Sequence, residues 1–399
     1  MKKDKTYELR KRLLLTILIL AIYLVGRSLL LYDVDRAAYQ LDELNSQNII
    51  LSMISGDRYR YTIFALGIMP YITSNLIMWI YVSIRGSEFK SRLSPQKMDR
   101  YTLTLTLMIT AVSAVSRAGD LVFKESRFDA QILQMIAVME MVAGTIVIYQ
   151  MVNLNKERGI GGQTPIILVN IADNLISTIQ RFTWEELQRS VCLCLIMAGI
   201  ILIMENVIIR IPVQRVSIHN MYADKSYIAF KLDPIGVMPV MFAASFFMIL
   251  QLIMSFCLLI NKDSLTLRLI SEDLNLSSVT GAAVYLGIIF TLNIAFSFMM
   301  LAPGEMAENL QRAGDSIINV YAGKKTKRYL RRILLLLTIF SGSFLCLMMG
   351  ISLGLALAGE IAPELALFPA TGMILVGILY PLYREVKAYW KFDSYSFFI

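Results

Sequence analysis

Ten stretches of about 20 apolar residues, joined by short polar connections, leave this chain few ways to fold. They lie near 13–32, 61–84, 101–116, 130–152, 163–179, 190–209, 235–260, 279–302, 333–357 and 365–383. Each suits a helix crossing a bilayer, where every backbone N–H and C=O must find its partner within the segment. A further apolar segment near 37–55 is too short and polar to cross. The chain is 56% hydrophobic and only 17% charged, against about 25% charged in soluble domains, which excludes a soluble globular protein. The predicted class is an all-α integral membrane protein with ten transmembrane helices.

Charge orients the spans. The 38 Arg and Lys residues gather at or beyond span ends, and most of them fall in the termini and the even-numbered loops. The positive-inside bias therefore places both termini in the cytoplasm, with the plasma membrane as the expected location. The basic loops Arg85–Arg100 and Arg312–Arg332 serve orientation and headgroup attraction, or dock a cytoplasmic partner. The N-terminal Lys-rich run before Leu13–Val25 mimics a signal peptide, but further spans follow, so it reads as the first helix.

Several chemistries drop out. The sole histidine, His219, sits in a polar loop, and Cys192, Cys194, Cys257 and Cys346 lie inside apolar runs without zinc-type spacing. No metal, cofactor or catalytic residue is expected. No G-x-x-x-x-G-K-[ST] loop is present, so ATP cannot be hydrolysed by a P-loop mechanism, and the chain reads as no enzyme. Glu140, Asp173 and Glu205 lie within or near span edges, where an unpartnered charge is costly. Glu205 is expected to snorkel from a cytoplasmic helix end, and Asp173 to face the bundle interior or water. Three scattered acids make a poor proton relay.

A short repeat organises the chain. Gly67-Ile68-Met69-Pro70 opens the second span and Gly236-Val237-Met238-Pro239 the seventh, so the chain reads as two five-span halves, 1–179 and 180–399. An odd number of spans per half inserts the second half upside down, which makes an inverted repeat. In such folds the pathway runs along the repeat interface, lined by interrupted helices. Ile68, Ile72, Met238 and Met241 are thereby placed near a central path, alongside Asn75 and Thr164. A lining of Ile, Leu and Met grips a varied cargo without recognising it and dewets to hold back ions.

These segments resemble the SecY family. Ile54-Ser55-Gly56-Asp57-Arg58 with Ile63–Ser74 resembles its second-helix signature, and Glu157-Arg158-Gly159-Ile160-Gly161 its turn before the fifth helix. Lys231–Pro239 resembles the start of its seventh helix, and Pro303, Glu305, Ala307–Leu310 and Gly314 its loop after the eighth. The resemblance implies a clamshell of two inverted halves around an hourglass pore, sealed by a ring at Ile68, Ile72, Thr164, Leu168, Met241 and Leu375. It implies a plug-like segment at about 35–55 and a lateral gate that includes Asn75, Trp79 and Met238. The cytoplasmic loops at about 210–231 and 303–332 become docking sites, with Arg215, Tyr321, Lys324 and Lys325 as contacts for a SecA-type motor.

The chain also departs from the family pattern. Where the family reads G-I-G-N-G-I, this chain reads Gly159-Ile160-Gly161-Gly162-Gln163-Thr164, so a ring isoleucine becomes a hydroxyl. Where the family carries G-I-R-P-G, it reads Asn319-Val320-Tyr321-Ala322-Gly323, and a gate glutamine is Trp79. These changes resemble the accessory SecY branch of Gram-positive cocci. That branch implies an unfolded polypeptide cargo of serine-rich glycosylated adhesins, a separate motor, a SecE-like small subunit, accessory secretion proteins and surrounding lipid, with no nucleic acid. The alternatives are a general SecY secretion channel and an inverted-repeat transporter of a small solute. A lipid-acting membrane enzyme lacks the clustered acids or histidines it would need.

Overall fold

A computed structural model describes residues 8–35, 61–85, 94–119, 121–124, 129–214, 227–243, 278–321, 323–362 and 365–395, together with 89, 246, 247, 250, 254 and 274. Its helices are α1 (Glu8–Ser28), α2 (Met69–Arg85), α3 (Pro95–Gly119), α4 (Ala130–Arg158), α5 (Thr164–Arg181) and α6 (Trp184–Asn206). The short segment α7 (238–243) follows, with helical residues continuing at 246, 247, 250 and 254. Then come α8 (Val279–Leu301), α9 (Pro303–Arg312), α10 (Lys324–Leu357) and α11 (Phe368–Tyr395). Two compact units result: one holds the chain up to Thr178 with residues 378–399, the other holds Ile179–Gly377.

Five helical stretches among the described residues are long and apolar enough to span a membrane: α3, α4, α6, α8 with α9, and α10. Only 28% to 44% of their apolar windows is buried within the protein. The remainder, with Val112, Met135, Met139 and Val279 each at least 70% exposed, is the surface a bilayer solvates. The second span differs from expectation. Residues 61–68 form turns, and helix begins only at Met69. Gly67 takes a left-handed φ of 54°, which ends any helix arriving from the N-terminal side.

Lipid tails are as apolar as leucine, so helices here associate through close packing and hydrogen bonds. In the first unit, Thr102, Thr106 and Thr110 line the buried stripe of α3, and Thr106 meets Ser74 of α2 at 2.6 Å. Each threonine also bonds the carbonyl one turn back, which satisfies its hydroxyl. In the second unit, Asn293 of α8 donates to the Thr338 carbonyl (2.9 Å) and Ser341 Oγ (3.0 Å) of α10. Gly342 permits this approach, since a Cβ there would lie 2.8 Å from the Asn293 amide nitrogen.

The loops expected to dock a partner contain a small sheet that hydropathy does not announce. Strand β1 (Ile208–Gln214) pairs antiparallel with β2 (Tyr227–Lys231), Ile208 facing Lys231 and Pro212 facing Tyr227. A two-residue strand, β3 (Ser316–Ile317), pairs with β1 on its other edge. Ile211, Phe230, Ala307, Ile317, Leu330 and Leu337 close a core beneath it. Ile208 and Ile209, read as the end of the sixth span, therefore belong to a strand, as alternating β-branched residues favour.

Candidate functional site

Both Gly-x-Met-Pro segments fold alike. Gly67 and Gly236 hold φ at 54° and 70°, and helix starts at Met69 and Met238. Proline then occupies the second helical position, where the missing N–H costs nothing. The first helical bonds also correspond: Ile72 N to Ile68 O at 3.1 Å, and Met241 N to Val237 O at 3.3 Å. Ile68 and Val237 are thus equivalent, as are Ile72 and Met241. All four are buried, and in each unit the pair stands one helical turn apart on a single face.

A second turn positions the start of α5. The Asn155 amide, 1% exposed, donates to the carbonyls of Ile160 (2.9 Å) and Gly162 (2.6 Å). Its oxygen accepts the Thr16 hydroxyl at 2.8 Å, and Thr16 Oγ1 in turn accepts the Ile160 N–H at 3.0 Å. Arg12 reaches the Gly159 carbonyl, and Glu385 accepts the Gly161 N–H. This network fixes a chain reversal through Gly161 and Gly162, both at positive φ, and sets Thr164 as the first residue of α5 with Leu168 one turn on. Both side chains are partly exposed.

Within the same unit lies a cavity of about 460 Å³. It brings together Asn75 and Trp79, expected at the lateral gate, and Thr164, expected in the ring. Arg12, Lys156, Asp99 and Glu385 also line it, so the expectation of an almost wholly apolar lining does not extend here. Two cationic and two anionic side chains make this a polar chamber.

In the other unit, Met238 and Met241 lie on α7 and Leu375 lies, partly exposed, on α11. Tyr321 projects from the loop before α10 with 77% of its surface exposed. Lys325 Nζ stands 4.5 Å from its ring centroid, and the Thr326 hydroxyl bonds its carbonyl. Lys324 and Lys325 open α10. Arg215 lies outside the described residues, as does the plug-like segment beyond Asp35.

The SecY family model matches residues 62–383. The chain belongs to the SecY family. Its relatives include the accessory Sec system protein translocase subunit SecY2 of Streptococcus salivarius, 28% identical over 99% of both chains. The SecY2 of Streptococcus sanguinis is 26% identical over 96% of this chain and 97% of its own length. That of Leuconostoc gelidum is 24% identical over 97% and 96%. Among solved structures, one described as a protein conducting channel shares the fold at TM-score 0.63, with 17% identity over 98% of this chain and 95% of that one. Sec61 in the canine ribosome–channel complex shares it at TM-score 0.60, also with 17% identity over 98% and 95%.

The three acids expected at the spans each have a separate task. Asp173 accepts from Arg27 at 2.7 Å, with Arg27 buried in the last turn of α1. Glu140 accepts the Tyr32 backbone N–H at 3.0 Å. Glu205 does not snorkel: it is 4% exposed and pairs with Lys231 at 2.5 Å, because β2 returns the chain to the end of α6. Sequence reasoning missed Thr16 and Asn155. An amide one turn ahead of a glycine-rich reversal was the available signal. It also missed Arg27 as the partner of Asp173, since nothing in sequence links positions 146 residues apart.

Proposed function

We propose that this chain is the protein-conducting channel subunit of an accessory Sec translocase, passing unfolded polypeptide across the plasma membrane. The observation that carries this reading is the end-to-end similarity to SecY2 subunits, at 24% to 28% identity over 96% to 99% of the chain. In the mechanism, Ile68, Ile72, Thr164, Leu168, Met241 and Leu375 form the ring, apolar but for the Thr164 hydroxyl, which seals by dewetting and yields to side chains of varied size. Asn75, Trp79 and Met238 belong to the lateral gate, and the segment near 35–55 is the plug. Both termini are cytoplasmic, as the charge asymmetry favours.

Energy comes from a separate SecA-type ATPase, and a SecE-like subunit clamps the halves. The exposed Tyr321 beside Lys324 and Lys325, with Arg215, suits the docking of that motor. The aromatic at 321, where a general channel would carry arginine, favours the accessory branch over the general one. Its cargo is then a small set of serine-rich glycosylated adhesins. The family match lends nothing to a small-solute transporter.

Reconstitution with the motor and an adhesin precursor tests the reading. Cargo should become protease-protected only with motor and ATP, while the chain alone turns over no ATP. Tyr321→Ala should weaken motor binding by about 2 kcal/mol, near thirtyfold, as loss of an aromatic anchor does. Export unchanged in that variant would remove the docking assignment. ATP turnover by the isolated chain would remove the passive-channel reading.

A further inference from the structure

The start of α7 is held by a buried charge cluster that the pathway reading leaves unused. At the end of β2, Leu232 N bonds the Val207 carbonyl (2.9 Å), which brings Lys231 and Asp233 against the end of α6. Asp233 is 1% exposed, and its Oδ1 accepts the Gly236 N–H at 3.1 Å, capping the reversal that launches α7. Glu205 comes from α6, also buried, with its Oε2 on Lys231 Nζ at 2.5 Å. Its other oxygen sits over Gly236, where a Cβ would lie 2.6 Å away. Two carboxylates therefore flank one glycine, and the Lys231 ammonium pairs with that of Glu205.

We infer that Asp233 is a positioning residue that holds the start of the seventh helix in a proton-dependent manner, with Glu205 and Lys231 as its charge partners. The inference rests on reading α7 as a pathway helix, because Asp233 acts through Gly236 on Val237 and Met241. Burial is the main influence and pushes the Asp233 carboxyl up, to about 7. The Gly236 N–H opposes this, the Glu205 charge reinforces it, and the Ile235 N–H and Lys231 oppose it. Among the described residues, the charged neighbours that act on Asp233 are Glu205 from α6 and Lys231 from β2. Arg210 of β1 faces the Tyr227 ring instead, at 4.9 Å, and Gly377 of α11 packs against Val237.

The sign follows from linkage. The folded turn holds a proton that an opened turn, near the ordinary aspartate value of about 3.9, has released. Opening is therefore favoured as pH rises between those values and levels off above about 7. Asp233→Asn keeps an oxygen for the Gly236 N–H and removes the charge.

Hydrogen exchange over residues 232–241 in the reconstituted full chain, corrected for intrinsic exchange, reads this directly. Between about pH 5 and 7, protection of the wild type should fall about tenfold per pH unit and then level, while Asp233→Asn stays flat. Glu205→Gln removes the like charge, so its levelling point should move to lower pH. It keeps the test alive if Asp233→Asn does not fold. A flat wild-type profile, or an Asp233→Asn profile that copies the wild type, overturns the inference. Conductance measured in parallel separates the two readings. Exchange that responds to pH with conductance that does not upholds the positioning role and counts against α7 as a pathway helix.

Discussion

Channels carrying Ile72→Gly should conduct ions at rest on the order of a hundredfold more than wild type in planar bilayers. The replacement strips the ring of an isoleucine side chain, and about 0.8 kcal/mol per carbon over several carbons corresponds to a barrier change of about 3 kcal/mol. Ile72 is 4% exposed and stands one turn beyond the fully buried Ile68, so the pair presents a continuous apolar step. Glycine also weakens a helix by about 1 kcal/mol, so a control must carry the same penalty elsewhere. Met139→Gly supplies it: Met139 is 74% exposed on the outer face of α4 and away from the proposed ring. That variant should stay sealed. Equal leak in both, or in neither, would take Ile72 out of the constriction.

Asp173→Leu should destabilise the protein by about 3–5 kcal/mol, measured as loss of monodisperse protein on heating in detergent. The size follows from what is left behind. The Arg27 side chain is 5% exposed and lies 5.7 Å from the Tyr23 ring, so the change takes the carboxylate at 2.7 Å away from a buried guanidinium. The reverse change, Arg27→Leu, leaves Asp173, whose side chain is 34% exposed and can hydrate. It should cost less than half as much. Replacing both residues should recover most of the loss, since a matched apolar pair avoids two desolvations. If the single variants are equal and additive in the double, the pair does not tie α1 to α5.

The glycine reversals at Gly67 and Gly236 are legible because glycine followed two positions later by Met-Pro states a local conformation, and both take it. Helix ends are not legible from hydropathy, which marks where lipid stops and not where the backbone does. α10 begins at Lys324, ahead of the apolar run, and α11 continues to Tyr395 through Arg384, Lys387 and Lys391. The β1–β2 hairpin escaped because Ile208 and Ile209 continue an apolar run, and only pairing with Lys231 and Phe230 separates strand from helix. Partners such as Thr16 with Asn155 depend on tertiary approach, which sequence spacing does not encode.

The most direct test of the account is a precursor arrested mid-passage by a folded domain at its end, with a photo-reactive residue placed at Ile72, Met241 or Met139 in turn. The account predicts cross-links to the arrested chain from Ile72 and Met241 that require both motor and ATP, and none from Met139. Cross-links from Met139 alone, or from none of the three while export proceeds, would contradict it.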